Sequence, residues 1–284
     1  MTKLILGCGY LGRRVARRWR AMGHEVFGLV RHAEHAPQIA AEGVRPIVAD
    51  VTEPVSLRAL PPAETVLYCV GYDPVGGKSR REVYVEGLRN VLDSLSPATR
   101  RAIFISSTGV FGEAGGGWID EDSPCRPARE AAQALLAAEK QLAAHPLGKL
   151  AIVLRLAGLY GPGRLPQTAE IRSGRPLAVP VGCWVNLIHV DDAASVVLAA
   201  EACPHPPRTY LVSDGHPVGR REYLGRLAEL LGAPPPTFCE SETASPGRGA
   251  GQKRVRNTRM LEELGVQLLY PTYREGLAAA AGGL

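Results

Sequence analysis

The chain has 284 residues, 45% hydrophobic and 21% charged, with a formal net charge of +5. That length holds one large domain, or one domain and a smaller lobe, with a sizeable core. The composition excludes intrinsic disorder, and no apolar run approaches the roughly 18 residues of a membrane span.

The run "LILG" after Lys3 is too short for a signal-peptide core. Cysteines at 8, 69, 125, 183, 203 and 239 form no CxxC pair. The expectation is therefore a cytoplasmic chain with reduced thiols, no disulfide framework and no metal site. Basic charge favours anionic partners. No helix-turn-helix, zinc-finger or RNA-recognition signature accompanies it, so a small molecule rather than nucleic acid is the expected partner. Twenty-eight of the 33 basic residues are arginine, which reads first as genome composition.

Residues 3–7, "KLILG", read as a first strand ending in glycine. Leu11, Val15, Trp19 and Met22 then recur at helical spacing, with most of the arginines off that stripe. Strands follow at 24–30, 45–50, 64–71, 100–108 and 149–159, with helices at 79–95 and 128–144. Such alternation buries both faces of a sheet under helices and predicts a doubly wound parallel α/β fold. Past "LYGPGR" (159–164) proline and glycine become dense. A strand at 185–190, a helix at 191–201, a strand at 209–214 and a helix at 219–231 are expected there. Residues 232–251 read as a mobile, proline-rich loop.

Gly7, Gly9 and Gly12 give G-x-G-x-x-G between the first strand and the first helix. The first glycine permits the tight turn, the second lets backbone approach a pyrophosphate, and the third lets helix and strand pack closely. Tyr10 and Leu11 lie within the loop, where helix N-terminal amides point at the anion. In this context the motif predicts a Rossmann dinucleotide-binding domain over 1–160, completed by later segments. Residues 161–284 would form mainly a smaller α/β substrate lobe. An acidic residue at the end of the second strand would select NAD. Here Arg31 stands there, beside His32, and Arg13 follows the third glycine. Guanidinium pairs with a ribose 2′-phosphate, so NADP is favoured and NAD is the alternative.

Five further segments occur in order: "VADV" (48–51), "YVEGLRNVL" (84–92), "FISSTGVFG" (104–112), "LRLAGLYGPGR" (154–164) and "VNLIHVDDAA" (185–194). With the glycine loop, they make the chain resemble the extended short-chain dehydrogenase/reductases, the NAD-dependent epimerase/dehydratase group. The tail "RNTRMLEELGVQLLYPTYREGL" (256–277) looks like an atypical branch. The resemblance implies that Asp50 and Val51 contact adenine, and that Val70 and Gly71 line the nicotinamide-side ribose. It implies Ser106 and Ser107 at the active-site edge, and Tyr160, Gly161 and Pro162 near the nicotinamide. Asn186 and His189 would face the substrate. Ser107 and Tyr160 are the catalytic candidates. Family members often dimerise through the helices here at 79–95 and 128–144, so a homodimer is expected.

The family handles the substrate proton with a tyrosine and a lysine four residues later, on the helix after the fifth strand. That helix reads "RPAREAAQALLAAEKQLAA" (126–144) and has no tyrosine. By register the two positions fall on Arg129 and Gln133, or on Ala131 and Leu135. Neither pair does acid–base work at neutral pH. Three readings follow: an oxidoreductase using another proton donor (Tyr160, Tyr72, Tyr84 or Glu113), a reductase whose acceptor needs little acid help, or an inactive NADP(H)-binding sensor or scaffold. Three other signals are set aside. "GYDPVGGKS" (71–79) places Tyr72 where a phosphate loop needs glycine. "HAEH" (32–35) lacks a third metal ligand. "KRVRNTR" (253–259) reads as a solvated basic face.

Overall fold

The computed structural model describes residues 1–239 and 252–282. Most of the loop expected at 232–251 therefore lies outside the described residues. The strands and first helix of the first half follow the sequence reading, β1 (Thr2–Leu6), α1 (Gly12–Ala21), β2 (Glu25–Val30), β3 (Arg45–Val48) and β4 (Thr65–Tyr68), while α2 (Ala36–Ala41), between β2 and β3, is a helix that reading did not place. After these come α3 (Gly87–Ser94), β5 (Arg101–Ser107), β6 (Gly117–Ile119), α4 (Glu130–Ala144) and β7 (Ala151–Leu156).

Seven parallel strands build the main sheet in the order β11-β7-β5-β4-β1-β2-β3, where β11 is Arg208–Val212. The central strands are apolar on both faces because both are covered. Ile5, Leu67 and Ile103 point to one core with Val15 and Trp19 of α1. Their neighbours Leu4, Leu6, Val66, Tyr68 and Phe104 point to the other, with Leu88 and Val91 of α3 and Ala138 and Leu142 of α4. The strand period of two thus distributes one continuous apolar run between two layers.

The later chain departs more from expectation. The single strand predicted at 149–159 divides in two. After β7 the chain leaves the main sheet, and β8 (Gly158–Tyr160) pairs with β10 (Leu187–His189). The remaining elements are α5 (Thr168–Arg172), β9 (Trp184–Val185), α6 (Val190–Glu201), β12 (Val218–Gly219), α7 (Arg220–Leu230), β13 (Lys253–Val255), α8 (Thr258–Leu264) and α9 (Tyr273–Ala281). Strand β13 runs parallel to β6, a pairing across about half the chain that local pattern does not signal. The helix expected at 79–95 begins as a π-helical turn, Glu82–Glu86, before α3.

At the amino ends of the strands Lys3 is buried, at 2% exposure. Its ammonium donates to Thr65 Oγ1 at 3.1 Å and pairs with Glu201 at the end of α6. Trp19 Nε1 donates to the other Glu201 oxygen at 2.7 Å, so this carboxylate ties α6 to α1 and β1.

Candidate active site

The chain order of the sheet reverses between β1 and β4, and an open α/β sheet binds its ligand in the crevice that this reversal creates. The glycine loop occupies that place. Gly7 has φ +88°, and a Cβ on it would meet Cys69 O and Val70 at 2.8 Å. A Cβ on Gly12 would meet Gly7 O at 2.7 Å and Ile5 Cγ2 at 3.0 Å, so α1 packs on β1 only because the residue is glycine. Gly9 is different: a Cβ there has no atom within 4 Å. Its missing side chain leaves open space rather than satisfying a packing contact. The amides of Tyr10, Leu11 and Gly12 have no protein acceptor among the described residues. Open space beside unspent helix N-terminal donors fits a diphosphate.

Arg31 stands at the exit of β2 and is partly exposed. It pairs with Asp73 from the segment after β4, and its Nε donates to His32 Nε2 at 2.9 Å. The segment after β4 thus reaches Arg31. Arg13 is already committed: its guanidinium pairs with Glu42, which Arg17 also approaches. A second phosphate contact from Arg13 would require exchanging Glu42, as one from Arg31 would require exchanging Asp73. Asp50 Oδ1 accepts from the amide and hydroxyl of Thr52, both at 2.8 Å, and fixes the turn after β3. Val51 is buried against Gly87. Gly71 is exposed, and Val70 lies beside Gly7. The segments at the ends of β1 to β4 therefore line one crevice rim.

At the end of β5, Ser106 and Ser107 separate in role. Ser106 is buried and donates to Glu139, which also holds Arg155 through two hydrogen bonds of 3.1 and 2.7 Å. Ser106 thus stands at the end of β5 as expected of its position, with its side chain engaged in a buried network. Ser107 is half-buried; its Oγ accepts from Gly109 N at 3.1 Å and caps a 3-10 turn, Thr108–Phe111. As an acceptor there, its hydroxyl keeps its own proton to donate elsewhere.

Tyr160 is corrected as a proton donor. It is 2% exposed, in an apolar cluster with Ile171, Leu177 and Leu277. Its hydroxyl abuts Gly276 of α9 so closely that no Cβ fits there. Burial pushes its phenol far up, so it stays protonated. Pro162, exposed, offers its carbonyl to the Tyr10 hydroxyl at 3.1 Å and so joins the glycine loop to the chain after β8. Asn186 and His189 are corrected as substrate contacts. Asn186 grips β13 at both ends: its Nδ2 donates to Lys253 O at 2.9 Å, and its Oδ1 accepts from Val255 N at 2.7 Å. His189 is 1% exposed and caps α6 through Nδ1, which accepts from Asp191 N at 3.2 Å. Burial lowers its pKa.

The other proton-donor candidates also have local partners. Tyr72 lies beside Tyr84, with the Arg80 guanidinium over its ring at 4.3 Å. Glu113 accepts from Gln252 N at 2.7 Å. On α4, Gln133 donates to Pro127 O, and Arg129 is the exposed residue preceding the helix. Lys253, which the sequence reading placed on a solvated basic face, is instead buried. It is 8% exposed, and its Nζ donates to Gly112 O at 2.9 Å, just beyond the turn that Ser107 caps. Read as a strand, "KRVR" alternates inward and outward, which carries the signal. Among the described residues no helix is long and apolar enough to cross a membrane, and no group of three metal-ligating side chains forms.

Residues 4–212 match the NAD dependent epimerase/dehydratase family. The chain belongs to that family. It is 29% identical to Protein YeeZ of Escherichia coli K12 over 275 residues, covering 94% of this chain and 95% of that protein. It is also 29% identical, over 318 residues, to a 3-diazoavenalumate denitrifying reductase of a Streptomyces species, covering 98% of this chain and 99% of the other. A solved structure of a functionally unknown conserved protein from Silicibacter pomeroyi DSS superposes with a TM-score of 0.80 at 31% identity, covering 99% and 98%.

Proposed function

We propose that the chain is an NADP-dependent oxidoreductase or epimerase-like enzyme acting on a small molecule, with a proton donor other than the family's tyrosine–lysine pair. One observation carries the reading: the unspent amides of Tyr10, Leu11 and Gly12 beside the open side of Gly9. In this reading those amides bind the diphosphate, and Val70 and Gly71 bound the nicotinamide-side ribose. Asp50 and Val51 bound the adenine. Arg31 recognises the 2′-phosphate, which requires exchanging Asp73 for the phosphate. That exchange is feasible because both partners are partly exposed, at 30% and 32%, and a dianion outcompetes one carboxylate. When bound, the nicotinamide supplies hydride transfer. The chain's own residues place the substrate at the carboxyl end of β5, where Ser107 donates a hydrogen bond.

Family membership and the likeness to a named reductase support this reading. Calorimetric titration with NADPH and NADH tests it. NADPH should bind more tightly; equal or tighter NADH binding overturns the NADP preference, and no binding of either overturns the function.

A second reading has its own observation: α4 carries neither tyrosine nor a lysine partner at the family's positions. An inactive dinucleotide sensor would bind NADP(H) without turnover. Steady NADPH oxidation with any carbonyl acceptor removes it.

A further inference from the structure

Lys253 is a buried ammonium with little to hold it. It carries three donors and has one hydrogen-bond partner among the described residues, Gly112 O. Among the described residues it forms no ion pair, and Glu113 acts on it only at longer range. A buried charge in that condition is costly unless something completes its shell. Burial, and next the charges facing it, set its state: Glu113 from the turn after β5 stabilises the ammonium, and Arg129 from the start of α4 opposes it. Glu113 is itself engaged by Gln252 N, and Asn186, the neutral group from the segment before β10, bonds the backbone of Lys253 and Val255 rather than the ammonium. Burial wins, and the ammonium is a stronger acid than a solvated lysine.

Its position is as telling as its environment. Ser107 Oγ accepts from Gly109 N at 3.1 Å, Gly109 O accepts from Gly112 N at 3.2 Å, and Gly112 O accepts from Lys253 Nζ. One 3-10 turn therefore separates Lys253 from Ser107, at the carboxyl edge of β5. Arg129, exposed and without an ion-pair partner among the described residues, has its Nη2 3.7 Å from where a Gly109 Cβ would stand; Ser107 Oγ is 3.3 Å from the same point. The rim is thus cationic on two sides and fits a carbonyl compound that also carries a carboxylate or phosphate.

We propose that Lys253 is the catalytic proton donor of this chain, giving its proton to the carbonyl oxygen of an anionic carbonyl substrate. The inference rests on the dinucleotide reading above. The carbonyl carbon receives hydride from reduced nicotinamide dinucleotide, and the C=O π pair moves onto oxygen. An N–H bond of Lys253 breaks as the O–H bond forms. The products are the alcohol and oxidised dinucleotide, and the neutral amine recovers a proton from water.

The test compares wild type, Lys253→Met and Lys253→Arg. Each is assayed for NADPH and NADH binding by calorimetry, and for turnover with a panel of 2-oxo acids and phosphorylated aldehydes as a function of pH. In wild type, 15N NMR of the five lysine side chains reads the Lys253 titration directly. The expected result is a Lys253 amine that titrates below the other four. Lys253→Met should fold, bind dinucleotide as wild type and lose about 100-fold or more in kcat/KM. Lys253→Arg, which keeps charge but cannot deprotonate, should remain as impaired. Recovery by arginine makes Lys253 a positioning residue and overturns the proposal. So do a variant within threefold of wild type, a Lys253 amine that titrates with the others, and wild-type dinucleotide binding without turnover. Absence of dinucleotide binding in wild type instead removes the reading beneath it.

Discussion

Arg31 at the end of β2 is held by Asp73 from the segment after β4, so two segments that border the same crevice are tied together. Two substitutions separate its parts. Arg31→Ala should weaken NADPH binding by about tenfold or more while leaving NADH binding within about twofold. Asp73→Asn, which frees the guanidinium, should tighten NADPH and leave NADH unchanged. Parallel titrations check both; equal losses for the two dinucleotides in Arg31→Ala would mean that Arg31 does not read the 2′-position.

The glycines of the first loop should fail in different ways. A Cβ on Gly9 meets nothing within 4 Å, so Gly9→Ala should melt like wild type and lose more than tenfold in dinucleotide affinity. A Cβ on Gly12 meets backbone at 2.7 Å, so Gly12→Ala should lose stability, by about 1–3 kcal/mol. Thermal melts and calorimetry on the two variants distinguish a binding glycine from a packing glycine. Unchanged affinity in Gly9→Ala would place the diphosphate elsewhere.

Asp214 gives the fold a pH dependence of unusual sign for a carboxylate. It is 4% exposed, its Oδ2 has no hydrogen-bond partner among the described residues, and burial pushes its pKa from 3.8 up to about 7, aided by Asp192 and Glu275. Folding therefore takes up a proton between these values. The stability it contributes is complete below about pH 4 and declines as pH rises to about 7. Asp214→Asn retains the acceptor for His216 N, now at 2.9 Å, and removes the charge. It should match wild type in denaturant unfolding at pH 4 and exceed it at pH 8 by up to about 4 kcal/mol. A variant no more stable at pH 8 contradicts the assignment.

Glu201 serves as the control far from the crevice. Its removal strands the buried Lys3 ammonium, so Glu201→Ala should cost about 3–5 kcal/mol. Dinucleotide affinity, measured where the variant remains folded, should stay at the wild-type value.

What the sequence made legible was what is local. Strands β1 to β5 and the glycine loop follow from apolar runs, helical spacing and three glycines within six residues. Of the segments that carry the family resemblance, those at 48–51, 84–92 and 104–112 lie in or at the end of that stretch, and those at 154–164 and 185–194 lie beyond it. What escaped was contact between distant segments. The Lys253–Gly112 bond spans 141 residues and Asn186's bond to Val255 spans 69, so neither role is visible in a window of sequence. Arg13 looked free because Glu42, 29 residues on, gave no sign of its position. Tyr160 looked reactive because its motif points at a cofactor, yet Gly276, the residue that admits its hydroxyl into the apolar cluster, lies in α9.

The most direct measurement is a crystal structure of the protein grown with NADPH. The expected result is a diphosphate accepting hydrogen bonds from the Tyr10 and Leu11 amides over Gly9, with the 2′-phosphate on Arg31 and Asp73 released. A crevice without dinucleotide at saturating NADPH, or a dinucleotide bound away from this loop, would contradict it.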